Sequence, residues 1–181
     1  MSPADLAAFV IRASLVASSG ARALPATFAD AIATESIAAP LFAGAQGAER
    51  SAALLTALAW FEGGNEPAAI GDCRIPDPRP GWHPCTEARI PQSFCALQIN
   101  LPGGAKTPEG WGRAELLSDP LKCVRASLRA IRASIAADRS GTCPLCFYAG
   151  GADNSVTRRL SGHRMDLAKK LFALIPPEVT P

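Results

Sequence analysis

The chain is poor in the residues that build sheets. It has one Tyr, three Trp and few β-branched side chains, and aromatics make up 6% of its 181 residues. A fold dominated by strands draws on those residue types, so their scarcity excludes one. Charge is scarce too, at 19% against roughly 25% in an ordinary globular chain. With hydrophobic residues at 48%, the chain has too much to bury to remain disordered. Its 18 basic residues barely exceed its 16 acidic ones, for a net charge of +2. The basic patch or stripe of a nucleic-acid binder is missing. No apolar run approaches the roughly 18 residues that cross a bilayer, and internal repeats are absent. The opening Met1-Ser-Pro-Ala-Asp5 carries no positive n-region, and Arg12 interrupts the apolar stretch that follows. No cleavable signal peptide is therefore expected.

Alanine, by contrast, supplies about a fifth of the chain, mostly in helix-friendly runs, with 15 Gly and 16 Pro between those runs. That pattern predicts a mainly helical protein with loops stiffened by proline. The length suits one domain. Leu6, Phe9, Val10, Ala13, Val16 and Ala17 follow the i, i+3, i+4, i+7 spacing of a helix capped by Asp5 and stopped by Gly20. A second helix opens near Pro25, with Phe28, Ile32 and Ile37 on one face, and ends at Pro40. A third starts near Ala48 and runs through Trp60-Phe61-Glu62 until Gly63-Gly64 breaks it. Between Asn65 and Asn100 helical periodicity disappears, which points to a tied-down loop or a small irregular sheet, with Ser93 to Asn100 as a strand or short-helix candidate. Asp119-Pro120 begins another helix that buries Cys123, Val124, Ser127, Leu128, Ile131 and Ile135. Lys122, Arg125, Arg129 and Arg132 form its solvated face. A short segment from Cys146 to Gly151 and a last helix from Met165 to Ile175 complete the pattern.

Six cysteines, Cys73, Cys85, Cys95, Cys123, Cys143 and Cys146, are spread through loops and helix starts. An even count of this kind suggests disulfides and an oxidising compartment, periplasmic or extracellular. Of the 15 possible pairings, a Cys73–Cys85 clip and a tie from Cys95 to the helix carrying Cys123 are the reasonable ones. Zinc would want two tight ligand pairs, and only Cys143-Pro-Leu-Cys146 is tight. A redox Cys-x-x-Cys would want a βαβ context. Buried free thiols in a cytosolic host are the remaining alternative.

The chemistry gathers where the third helix stops. Glu62 ends an apolar helix beside Trp60 and Phe61, near the negative end of the helix dipole. Both surroundings disfavour its ionised form. A carboxylic acid that keeps its proton near neutral pH is what cleavage of a glycosidic bond requires, since the leaving oxygen must receive one. The plain alternative is a solvated Glu at a helix end. Asp72, ten residues on in a Gly-Asp turn, is either a second carboxylate that holds an attacking water or an Asp bonding its own turn. Asp77 is a weaker candidate. Trp82, His83 and Trp111 could flank a sugar groove, with a core role equally open for Trp111.

The stretch Ala59-Trp-Phe-Glu62-Gly-Gly-Asn-Glu-Pro67-Ala-Ala-Ile-Gly-Asp72 resembles the catalytic block of the lysozyme-like superfamily of soluble lytic transglycosylases and goose-type lysozymes. Ser93-Phe-Cys-Ala-Leu-Gln98-Ile99 resembles that family's second motif, Gly-Leu-Met-Gln-Ile. Phe147-Tyr148-Ala149-Gly150-Gly151 resembles the third, Ala-Tyr-Asn-x-Gly. Order and approximate spacing agree from about residue 49 to 172. Gly63 stands where the family usually has Ser, Cys95-Ala96 where it has Gly-Leu, and Ala149 where it has Asn. The resemblance implies a single α+β, mainly α, lysozyme-like domain over residues 1–181. Within it, 1–47 form a helical lead-in, 48–175 the catalytic core with a small irregular β region after the catalytic helix, and 176–181 a tail. It implies cleavage of the β-1,4 bond between N-acetylmuramic acid and N-acetylglucosamine in peptidoglycan. The outcome is that of a lytic transglycosylase, or of a hydrolytic lysozyme such as a phage endolysin. An inactive saccharide-binding module on the same fold is the third option. Glu62 matches the catalytic acid/base, Gln98 the polar residue that lines the cleft, Tyr148 the aromatic that contacts the sugar or orients the Glu, and Ser93 a cleft hydroxyl. The expected partner is the glycan strand, met by a monomer with no cofactor, no metal, no nucleic acid and no integral membrane segment.

Overall fold

The computed structural model describes residues 1–71 and 92–176. They are mainly helical, with a small antiparallel sheet. Helix α1 spans Pro3–Ala17, α2 Ala26–Ala38 and α3 Gly47–Gly63. Three two-residue strands follow: β1 (Ile70–Gly71), β2 (Ser93–Phe94) and β3 (Ile99–Asn100). Then come α4 (Arg113–Ser118), α5 (Pro120–Ala137), α6 (Cys146–Gly150) and α7 (Ser155–Phe172).

The centre of the molecule is α3. From Ala52 to Ala59 every side chain is buried, and all but Thr56, whose hydroxyl bonds the Ala52 carbonyl, are apolar. Such a helix is stable only when neighbours surround it, and α1, α2 and α7 all pack on it. Leu6, Phe9, Val10 and Ala13 of α1 and Phe28 and Ile32 of α2 belong to the same core cluster. Val16 and Ile37, expected on those buried faces, are 56% and 40% exposed, because they fall on the solvent stripes of their helices, Val16 with Ala8 and Arg12 and Ile37 with Asp30 and Thr34. The cap of α1 is Ser2 rather than Asp5. Its Oγ accepts the Asp5 N–H at 3.2 Å, and the Ser2 hydroxyl donates to the Asp5 carboxylate at 2.6 Å.

Helix α5 begins as its sequence implies. Asp119 accepts the N–H groups of Leu121 and Lys122, and Pro120 takes the first position. Cys123, Val124, Ser127, Leu128 and Ile131 are buried. Its basic face does more than meet solvent. Arg125 bonds the buried Glu35 of α2 at 2.8 Å, Arg129 bonds Glu109 at 2.8 Å, and Arg132 donates to the Ala39 carbonyl.

Two elements differ from the sequence expectation. Helix α4 was not foreseen. Helix α7 begins at Ser155, ten residues before Met165, with Asn154 accepting from the Val156 and Thr157 N–H groups as its cap. The reason is its buried face, made of Thr157, Ser161, Arg164, Ala168 and Leu171. The heptad spacing is present, but polar and small residues carry it, so hydrophobic periodicity does not reveal its first half.

The sheet runs β1-β2-β3, antiparallel throughout, with Ile70 opposite Phe94 and Phe94 opposite Ile99. Residues Cys95 to Gln98 turn β2 into β3, and both end residues of that turn take left-handed φ, 65° and 49°. A disulfide from Cys95 to Cys123 ties the turn to α5, as expected from the sequence. Cys143 and Cys146 form a second one at the start of α6, a pairing the sequence reading weighed only as metal or redox chemistry. The Cys73–Cys85 clip lies outside the described residues. Among those described, no cysteine is free.

Candidate active site

Glu62 is the penultimate residue of α3, and the chain around it is built to stop there. Gly64 takes a left-handed φ of 59° and its N–H closes on the Trp60 carbonyl, while Asn65 N–H reaches the Ala59 carbonyl at 3.0 Å. The Asn65 side chain is fully buried and donates to the carbonyls of Ser14 at 3.1 Å and Arg22 at 2.9 Å. This residue, which the sequence reading passed over, anchors the end of α3 to α1.

The β2–β3 turn lies directly on that end. A methyl group added at Gly63 would stand 2.6 Å from the Ala96 carbonyl oxygen and 2.8 Å from its Cα. Glycine at this position is therefore a condition of contact between the helix end and the turn. On the far side of the turn, Gln98 folds its amide back: Nε2 donates to the Cys95 carbonyl at 2.9 Å, and Oε1 occupies the space a side chain at Gly71 would need. Ser93 is fully buried on β2, where its Oγ accepts from Asn100 Nδ2 at 3.3 Å. Tyr148, from α6, donates its O–H to the Leu97 carbonyl at 2.6 Å and its backbone N–H to Ser134 Oγ at 3.1 Å. Burial pushes the phenol well above its ordinary value. The Glu62 charge adds to that effect, and the Arg164 charge opposes it.

Arg164 is the residue the sequence reading missed. It projects from α7, and its Nε and Nη2 both meet Glu62 Oε1, at 2.7 and 2.6 Å. The two side chains are 8% and 17% exposed, Arg164 being the deeper. Its guanidinium carbon stands 5.8 Å from the centre of the Phe61 ring. Apolar rings beside Glu62 favour its acid form. The structure adds a guanidinium, which favours the carboxylate. No local motif signals Arg164, 102 residues along the chain; only its place on the face that α7 buries against α3 could have suggested it.

Beside Tyr148 and Gln98 runs a groove of about 530 Å³ between β3, the 102–108 segment and α5. Asn100, Thr107, Ala133 and Phe147 help to line it. Trp111 is half-buried and packed against the core. Asp72, Asp77, Trp82 and His83 lie outside the described residues. One group of possible metal donors occurs among those described, Cys143, Cys146 and Asp153. Its two sulfurs are joined to each other, which takes them out of use as thiolate ligands.

Comparison with known proteins yields no relative: no family model, no curated protein and no solved structure matches the chain.

Proposed function

We propose that the protein is a peptidoglycan-cleaving glycosidase of the lysozyme-like kind. Glu62 protonates the leaving oxygen of the β-1,4 bond between N-acetylmuramic acid and N-acetylglucosamine, then acts as base. The observation that carries this reading is that three stretches far apart in sequence meet at one helix end. Ala96 lies on Gly63, Tyr148 holds the Leu97 carbonyl, and Gln98 packs on Gly71. These are the stretches whose residues resemble the family's three motifs, and a groove opens beside two of them. In this reading Glu62 is the acid/base, and Gln98 and Tyr148 border the sugar. Ser93, read from the sequence as a cleft hydroxyl, is fully buried and braces β2 against β3 through Asn100, and Asp72 positions a water if the outcome is hydrolysis. Attack by the sugar's own 6-hydroxyl gives the transglycosylase outcome instead. The two disulfides among the described residues favour an oxidising, periplasmic or extracellular, location, and no described helix is long and apolar enough to cross a membrane.

One observation favours the second reading, a silent saccharide-binding module on the same fold: the carboxyl is already engaged by Arg164. Clearing of purified cell walls by wild type and by Glu62→Gln separates the two. The acid reading expects clearing by wild type and a loss of at least about a hundredfold in the variant, the scale of general acid catalysis. No clearing by wild type supports the binding module, and equal clearing by both proteins removes Glu62 from the mechanism.

A further inference from the structure

We infer that Arg164 is the positioning residue of the Glu62 carboxyl and the charge that receives it when its proton leaves. This deepens the acid/base reading of Glu62 and rests on it. Among the described residues, Arg164 is the only Lys or Arg whose side chain is buried. A guanidinium in that setting is costly unless it is paired, and both of its inward N–H groups converge on one oxygen, Glu62 Oε1. The pair joins two elements that pack closely on each other, α3 and α7. Thr157, Ser161, Ala168 and Leu171 share its face of α7 and seat that helix. The guanidinium is therefore fixed before any substrate arrives.

Its effect on the reaction follows from where charge develops. In the acid step the O–H bond of Glu62 breaks and an O–H bond forms on the bridging oxygen. The glycosidic C–O bond breaks, with its electron pair passing to that oxygen. Negative charge appears on the Glu62 carboxyl as this happens. A cation already in place stabilises that charge in the transition state more than in the protonated ground state, which is how fixed charges accelerate a step. Tyr148 faces the pair from α6, neutral and bonded to Leu97. Beyond the end of α3, Glu66 is taken up by Arg22 at 2.6 Å.

The test is a carbon-13 titration of the Glu62 carboxyl in wild type, Arg164→Gln and Arg164→Lys, alongside cell-wall kinetics against pH. In Arg164→Gln the carboxyl should titrate about one pH unit or more higher than in wild type, since its opposite charge is gone. The alkaline limb of the activity profile should move up with it. kcat should drop at least about tenfold while KM stays within about twofold, the mark of an interaction gained in the transition state. Arg164→Lys keeps the charge but not the fork, so its carboxyl should titrate near the wild-type position with intermediate kcat; this variant carries the test if the first does not fold. An unchanged titration and pH profile in folded Arg164→Gln would overturn the inference. The acid reading fails separately, if Glu62→Gln cleaves as wild type does, and the titration still decides the coupling in that case.

Discussion

Tyr148 shows how much one side chain holds together at the site. Its O–H closes on the Leu97 carbonyl at the β2–β3 turn while its backbone N–H closes on Ser134 of α5. Removing the hydroxyl leaves a buried carbonyl without that donor, so Tyr148→Phe should lose about 1–2 kcal/mol of stability in urea unfolding at neutral pH. The same phenol is pushed above its ordinary value of 10.0 by burial first and by the Glu62 charge second. Folding thus favours the protonated form. The resulting stability is fully present below about pH 10, where the unfolded chain also keeps its proton, and is lost as pH rises further. Because the chain has a single Tyr, phenolate absorbance reports this group alone. It should emerge only well above pH 10 in the native protein; ordinary titration near 10 would show that the O–H is not held as described. Tyr148 and Gln98 were legible from the motif resemblance. Arg164 and Asn65 were not, because a polar residue turned inward carries no sign of its orientation in one sequence.

At the scale of elements, the contact of α3 with the β2–β3 turn decides whether the site exists. Gly63 permits it, since a methyl there would meet the Ala96 backbone. Gly63→Ala should therefore cost about 1–3 kcal/mol, the range of overpacking a filled contact, and should loosen the turn over Glu62. Urea unfolding gives the first, and hydrogen exchange of the Ala96 and Leu97 amides the second. A neutral substitution would mean that the turn does not rest on the helix. The helices with apolar faces were readable: α3 from its unbroken run, α5 from the spacing of Cys123, Val124, Leu128 and Ile131 and from the Asp119-Pro120 start. The first half of α7 was not, because Thr157, Ser161 and Arg164 fill the core-facing positions where a periodicity search looks for Leu or Val. In the sheet, each strand is only two residues long, too short for alternation to register, and pairing across the chain rather than local pattern creates it.

For the molecule as a whole, stability comes from helices gathered around α3, and the Cys95–Cys123 disulfide binds the turn at the site to that body. With 28 residues of separation, it should contribute about 3–4 kcal/mol by restricting the unfolded chain, roughly twice what the three-residue Cys143–Cys146 link can give. The double variant Cys95→Ala/Cys123→Ala should therefore unfold at distinctly lower urea than Cys143→Ala/Cys146→Ala; the reverse order would deny the turn its anchor. The helical class and the use of cysteines for cross-links were evident from composition. Where the chain meets itself around Glu62 was not, since that depends on packing between distant segments. The most direct test of the catalytic role is mass spectrometry of the soluble fragments released from purified peptidoglycan by wild type and by Glu62→Gln. The account predicts disaccharide-peptide fragments cut at N-acetylmuramic acid, with anhydro or reducing ends, from wild type only. The same fragments at the same rate from Glu62→Gln would contradict it.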